Sequence, residues 1–344
     1  MKIAVTTFFV LVLVVGVFSC GCVREFNFDF DMEGYKTEFE RTYALDAGGR
    51  VEVKNVDGFI HVDSWDKDEV LVNGTLRVKT KNEEEARKRM KEIKVVVTQD
   101  ENLLSIQVKR EKRMRPASWF QSGSWRVDLE LTVPEKCNLS LSSVDGAVRV
   151  VGVDGSHELT TVDGSLRIEN VKGNVKGHSV DGSCTVVEIE GDVNVSTTDG
   201  RVDVTGVLGD VTSKSVDGSC TVGDVTGSVS ASTVDGRIGI EGVLTGLSAT
   251  AVNGGVRVTA LEGSSIADQW KISTVDGSVT LVLPESLSAD LRASTLDGHV
   301  SLSMPAELKM KTKRSVVATL GGGGGVIDVS TTDGSIRVRL LEAK

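Results

Sequence analysis

Apolar and polar residues alternate along this chain in short runs that recur at a fixed step. After Gly164 the apolar positions are Leu166, Ile168 and Val171; after Gly200 they are Val202, Val204 and Val207; after Gly236 they are Ile238, Ile240 and Val243. The positions between are mostly polar. A period of two in β-branched residues, bounded by glycine-bearing turns, predicts short half-buried strands. The glycines set the step: they fall nine residues apart from Gly146 to Gly263, and only Thr245 breaks the series. Every second glycine follows Asp145, Asp163, Asp181, Asp199, Asp217, Asp235 or Asn253, so the unit is 18 residues in two unlike halves.

The halves differ at the fourth residue after the glycine. After Asp-Gly that residue is large (Ile168, Val186, Val204, Val222, Ile240, Val258). In the other half, from Gly173 on, it is usually small (Gly177, Ser213, Ala231, Ala249), with Val195 the exception. A bulky and a small face interdigitate across a thin core. Each unit therefore reads as one coil of two facing strands, each strand pairing with its equivalent about 4.8 Å away in the next coil. One coil orders 18 residues, at roughly 1.5 kcal/mol each. It buries about six side chains, worth roughly 1.5–3 kcal/mol apiece. A single coil fails, and stacking alone makes it fold. The predicted fold is an all-β, parallel β-solenoid of 18-residue coils with two strands per coil.

The same pattern starts earlier, at Gly49-Arg50-Val51-Glu52-Val53, and Gly49 to Gly58 is again nine residues. This stretch reads as the amino-terminal coil or cap. A helix is expected over 82–93: Asn82 can cap it, Glu83–Glu85 suit its positive end, and Ala86, Met90 and Ile93 share a face. It belongs, with strands at Val70–Val78, Lys94–Gln99 and Leu104–Lys109, to a cover for the solenoid's open end. Three regions follow: a leader over 1–22, a β-rich cap over 23–135 and a solenoid over 136–344. Residues 23–40 are acidic with alternating Phe26, Phe28 and Phe30, and fit either a tether or a first strand. Beyond Gly263 an insertion containing Trp270 delays the next Asp-Gly to Gly277. Asp297 and Asp333 then lie 36 residues apart, two whole coils. Gly321–Gly325 reads as a flexible loop inside that register, and Ser335–Leu341 as the last strand.

The first 18 residues carry one Lys and an apolar run, Ile3–Val17, too short for a comfortable spanning helix. Val17-Phe18-Ser19-Cys20 resembles the lipobox of bacterial lipoproteins, with Phe18 a departure from the pattern. It implies cleavage before Cys20 and lipid on the Cys20 thiol; an uncleaved anchor or simple secretion is the plainer alternative. All three place the chain outside the cytoplasm.

Composition narrows the partners. Net charge is −10, which disfavours nucleic acid. Aromatics are 4% and absent between Val144 and Ser265, as a thin aliphatic core requires. Cys184 and Cys220 sit at equivalent positions two coils apart, about 9.6 Å from the strand spacing and beyond disulfide reach. They read as core residues.

Three features could carry chemistry. The Asp row stacks like charges, which repel by roughly 1 kcal/mol or more per pair, and Ca²⁺ would relieve this. Against it, each turn offers one carboxylate per coil and Asn253 fills the slot equally well. The favoured reading is therefore Asp capping its own turn, with Gly supplying positive φ. A column of hydroxyls precedes each Asp by two residues (Ser143, Thr161, Ser179, Thr197, Ser215, Thr233). Nearby outward positions add Asn194, Ser196, Thr212, Ser230, Ser232, Ser248 and Thr250. This array could bind sugars or ice; a stacked hydrogen-bond ladder that keeps the sheet soluble is the plainer role. The basic run Lys109–Arg115, followed by Trp119, Phe120 and Trp125, could meet anionic lipid heads or glycans. It reads more simply as a solvated hairpin loop. His61, His157, His178 and His299 have no metal-ligand spacing. No catalytic residues, metal ligands or cofactor site are expected.

Gly49–Val62, Ser64-Trp65-Asp66, the helix, Val127–Pro134 and the tandem Ser/Thr-x-Asp-Gly coils together resemble the DUF4097 family of adhesin-like, β-strand-repeat proteins. The likeness covers roughly residues 40–340. It implies a β-helix-like cell-envelope protein with an adhesive or scaffolding role, and it offers no catalytic residues to carry over. The expected function is non-catalytic binding at the cell surface, of a glycan or another envelope component. The alternative is a structural spacer, and a polysaccharide-active enzyme or a Ca²⁺-binding roll ranks below both. Membrane contact is expected only through the amino-terminal lipid or leader.

Overall fold

The structure is a computed structural model that describes residues 22–25, 35–80, 82–110, 125–267 and 269–342. Cys20, Phe26, Phe28, Phe30, Trp119 and Phe120 lie outside the described residues, as does most of the basic run.

Two long parallel ladders run along the chain. One stacks Asn138–Asp145, His157–Asp163, Val175–Asp181, Val193–Asp199 and Val211–Asp217, each paired with the strand 18 residues on. The other stacks Val148–Val151, Leu166–Lys172, Cys184–Glu190 and Val202–Leu208 at the same step. This is the parallel β-solenoid. Leu166, Cys184, Val202 and Cys220 form one inward column, all 0% exposed. In the facing strand Leu141, Leu159, Gly177, Val195, Ser213, Ala231 and Ala249 share a column. A Cβ on Gly177 would meet Val195 Cγ1 at 3.1 Å and Leu166 Cδ1 at 3.3 Å. The exceptional valine thus fills the space that its neighbouring glycine leaves.

The Asp-Gly glycines are needed for close approach. At Gly164, Gly182, Gly200 and Gly218 a Cβ would overlap the carbonyl oxygen of the equivalent glycine one coil away. A left-handed backbone is not the reason at these four; at this corner it occurs at Gly58, Gly254, Gly298 and Gly334, and at the other corner at Gly155, Gly173, Gly191 and Gly209. The break at Thr245 has a physical counterpart. Register shifts between Gly227 and Ser228, Gly242 takes the place opposite Val225, and Leu244 rather than Val243 is fully buried.

Both ends depart from simple stacking. Arg50–Lys54 and Ile60–Trp65 do form a coil, but it is not the last one. It lies between Asn138–Val151 on one side and Leu103–Arg110 with Trp125–Pro134 on the other. Glu69–Val78 extends this end antiparallel, between Lys36–Ala44 and Trp125–Pro134. The helix is Glu83–Met90, Asn82 Oδ1 accepts from Glu85 N–H at 2.8 Å, and Ala86 and Met90 are buried; Ile93 opens the next strand instead.

At the carboxyl end the chain skips a place and returns to fill it. Val326–Asp333 pairs with Trp270–Asp276 on one side and Ala289–Asp297 on the other. Ile336–Leu340 likewise lies between Val279–Leu283 and Val300–Ser303. Asp297 and Asp333 are thus neighbours and not two coils apart. Trp270 is likewise no insertion residue. It opens a strand, 0% exposed, against Ile327.

Candidate functional site: the outward ladders

Strand parity decides which columns can meet a ligand. Ser143, Thr161, Ser179, Thr197, Ser215 and Thr233 share the parity of the core residues and are at most 5% exposed. Thr161, Ser179, Thr197, Ser215 and Thr233 each donate to the carbonyl of a glycine in the adjacent coil, at 2.8–3.1 Å. Hydrogen bonds that satisfy buried polar groups this way fix the turns in register. This column is internal structure and no binding array.

The Asp row stands at the surface, where Asp145, Asp163, Asp181, Asp199, Asp217 and Asp235 pair in register and are exposed. Asn253 Nδ2 donates to Asp235 at 2.6 Å. The hydroxyls two residues earlier tie each turn to the next by donating to a glycine carbonyl of the adjacent coil, a different bond from the N–H capping expected of the carboxylates. Asp57, at the inner end of the row, is held above the usual carboxylate range by partial burial and by the neighbouring Asp145. Among the described residues no group of three or more His, Cys, Asp or Glu side chains is placed to hold a metal ion.

The opposite corner carries a second polar row that the sequence reading missed. Asn138, Ser156, Asn174, Asp192, Asp210 and Ser228 recur at the same 18-residue step, all but Asn138 directly after one of the other glycines. The Oδ1 atoms of Asn138, Asn174, Asp192 and Asp210 accept backbone N–H groups one coil on, at 2.8–3.0 Å. Asn138 Nδ2 also donates to the Gly48 carbonyl at 3.1 Å, and Asn174, Asp192 and Asp210 each carry a second polar side-chain atom. Beside this row runs Glu158, Lys176, Asn194 and Thr212 on the flat face. Lys176 Nζ bonds Glu158 at 2.8 Å and pulls that carboxyl below its usual range.

The two rows border a groove of about 640 Å³ that crosses several coils, with Arg50 at one end. Its floor includes Leu139, His157, Val175 and Val193. His157 is 2% exposed, and its Nε2 lies 2.7 Å from the Val153 carbonyl, which can only accept. The proton is therefore on Nε2. Burial pushes the imidazole pKa down, so the ring is neutral. Its bare Nδ1 is buried without a partner. Cys137 and Cys184 are equally buried, their thiols pushed up to about 12 and about 11 by desolvation. They are inert core groups.

The fold and its outward ladders define a class: a β-strand-repeat solenoid with flat polar faces and an open groove. The chain belongs to the DUF4097 (Toastrack) family, whose model matches residues 50–339. No curated protein matches it. Two solved structures are similar over 89% of this chain. One is a proposed cell adhesion protein from Clostridium sporogenes ATCC 15579 (11% identity, 100% of that chain, TM-score 0.20). The other is a proposed adhesin from Bacteroides fragilis NCTC 9343 (10% identity, 97% of that chain, TM-score 0.27). At these scores the likeness carries no functional argument.

Proposed function

We propose that the protein is an exported, lipid-anchored component of the cell envelope that binds surface glycan without catalysis. The observation behind this reading is the groove beside Asn174, Asp192 and Asp210, where amides, carboxylates and hydroxyls recur once per coil. Sugar hydroxyls pair with such groups, and a groove open along the stack accepts a chain rather than a small enclosed substrate. Full-length protein is expected to be retained saturably on cell-wall polysaccharides, equally with Ca²⁺ and with EDTA. The double variant Asn194→Ala, Thr212→Val removes two polar contacts and should weaken retention about tenfold. Loss in EDTA would make the Asp row a metal site instead. Absence of retention under both conditions favours the envelope spacer, which the long uninterrupted ladders would also serve. Cys20 is the proposed lipidation site. Cys20→Ser is expected to shift the protein from the membrane to the soluble fraction, with loss of lipid labelling; unchanged membrane association would overturn the anchor.

A further inference from the structure

One outward column has the wrong chemistry for a solvated edge. The residue before each Asp points outward, yet it is Val or Leu in nine of the eleven stacked turns: Val56, Val144, Val162, Val180, Val216, Val234, Val252, Val275 and Leu296. Eight of the nine are exposed, from 37% at Val252 to 69% at Leu296. Only Thr198 and Thr332 break the row. Threonine has the same β-branched fit to a strand, so solvation and strand propensity do not explain the valines. An exposed apolar row recurring over most of the coils marks an interaction surface, whereas a scattered residue does not.

We propose that this row docks a cationic amphipathic α-helix of a partner protein. The neighbouring carboxylates set the sign of the partner. Asp57 through Asp297 run beside the valines, one per turn except at Asn253. Among the described residues the salt bridges to this row come down to Arg314 on Asp297 at 3.8 Å. Pairing two copies row to row would set carboxylate against carboxylate, and an anionic membrane meets the same repulsion. Geometry then selects the partner's conformation. Backbone groups at this corner are already joined coil to coil, as in Gly200 N–H to the Asp217 carbonyl at 3.2 Å. An added strand would find no ladder to extend there. A strand's same-face repeat, about 6.7 Å, also loses register with turns spaced about 4.8 Å apart after one or two rungs. A helix rises about 5.4 Å per turn and drifts by only about half a rung over four turns. It also satisfies its own backbone, leaving side chains free for the valines and carboxylates.

The test uses full-length protein and three labelled 18-residue probe peptides. One places Leu and Lys at helical period, one has the same composition in strict alternation, and one is helical with Glu in place of Lys. The helical Leu/Lys peptide should bind saturably, and the other two at least about tenfold more weakly. Val144→Thr, Val162→Thr, Val216→Thr and Val234→Thr combined should cost at least about tenfold. So should Asp145→Asn, Asp163→Asn and Asp217→Asn combined. Thr198 and Asn253 occupy these columns naturally, so both variants are expected to fold, and unchanged melting curves check this. Equal binding of the two Leu/Lys peptides, or indifference to the threonine set, would overturn the proposal as mere charge adsorption. Self-association lost in the threonine set, or preferential binding to anionic vesicles, would overturn it in favour of those partners.

Discussion

Val204→Asp is expected to abolish the cooperative unfolding transition of the solenoid. Val204 is 0% exposed, stacked between Val186 and Val222 in the large-residue column. The substitution forfeits the apolar burial, about 1.5–3 kcal/mol, and places a carboxylate among valines. An unpaired buried charge costs several kcal/mol more even after relaxation. The sum is of the order of a whole domain's stability, about 5–15 kcal/mol. Stacked coils are coupled mainly to their neighbours, so damage at this central coil should propagate both ways. Thermal melting followed by circular dichroism reads the effect. The control is Thr205→Asp, one residue along on the outward face, where the melt should stay close to the parent's. Val204→Asp melting like the parent would falsify the inward assignment of that column.

That assignment was legible because a strand's period of two and a nine-residue step leave little freedom about which side faces in. The same parity also marks the hydroxyl column: Ser179 lies two residues from Gly177 and four from Val175, all inward. Reading Ser and Thr as surface residues by type obscured this. The groove row was hidden for another reason. Asn174, Asp192 and Asp210 look like ordinary turn residues, and only coil-to-coil stacking turns them into a bordering wall. The order of coils at the ends was not legible at all. Every Ser/Thr-x-Asp-Gly turn pairs equally well with every other, so the local sequence specifies the register within a rung and leaves the order of rungs to the linkers. The half-repeat that lost its glycine at Thr245 could be seen in the sequence, although its consequence, Leu244 inward in place of Val243, required the backbone.

The skipped place at the carboxyl end leads to the second large effect. Removing residues 322–344 takes away the coil that lies between Trp270–Leu283 and Ala289–Ser303. Ile327, Val329, Ile336 and Val338, all 0% exposed, go with it. At about 1.5–3 kcal/mol apiece that burial rivals the stability of a small domain, and ladder hydrogen bonds are lost on two sides. Direct closure of the gap would set Ile272 against Ala293, where Val329 now fills the column. The shortfall in volume disfavours that rearrangement. Limited proteolysis of the truncated chain is therefore expected to cut within 284–321 while the coils before Trp270 stay resistant. Because the missing coil is the last in the sequence and pairs on both sides, a synthetic peptide of residues 322–344 added in trans should restore protection. Protection without the peptide would mean that the gap closes by itself. Cleavage that persists with the peptide would mean that the place can be filled only during folding of the intact chain.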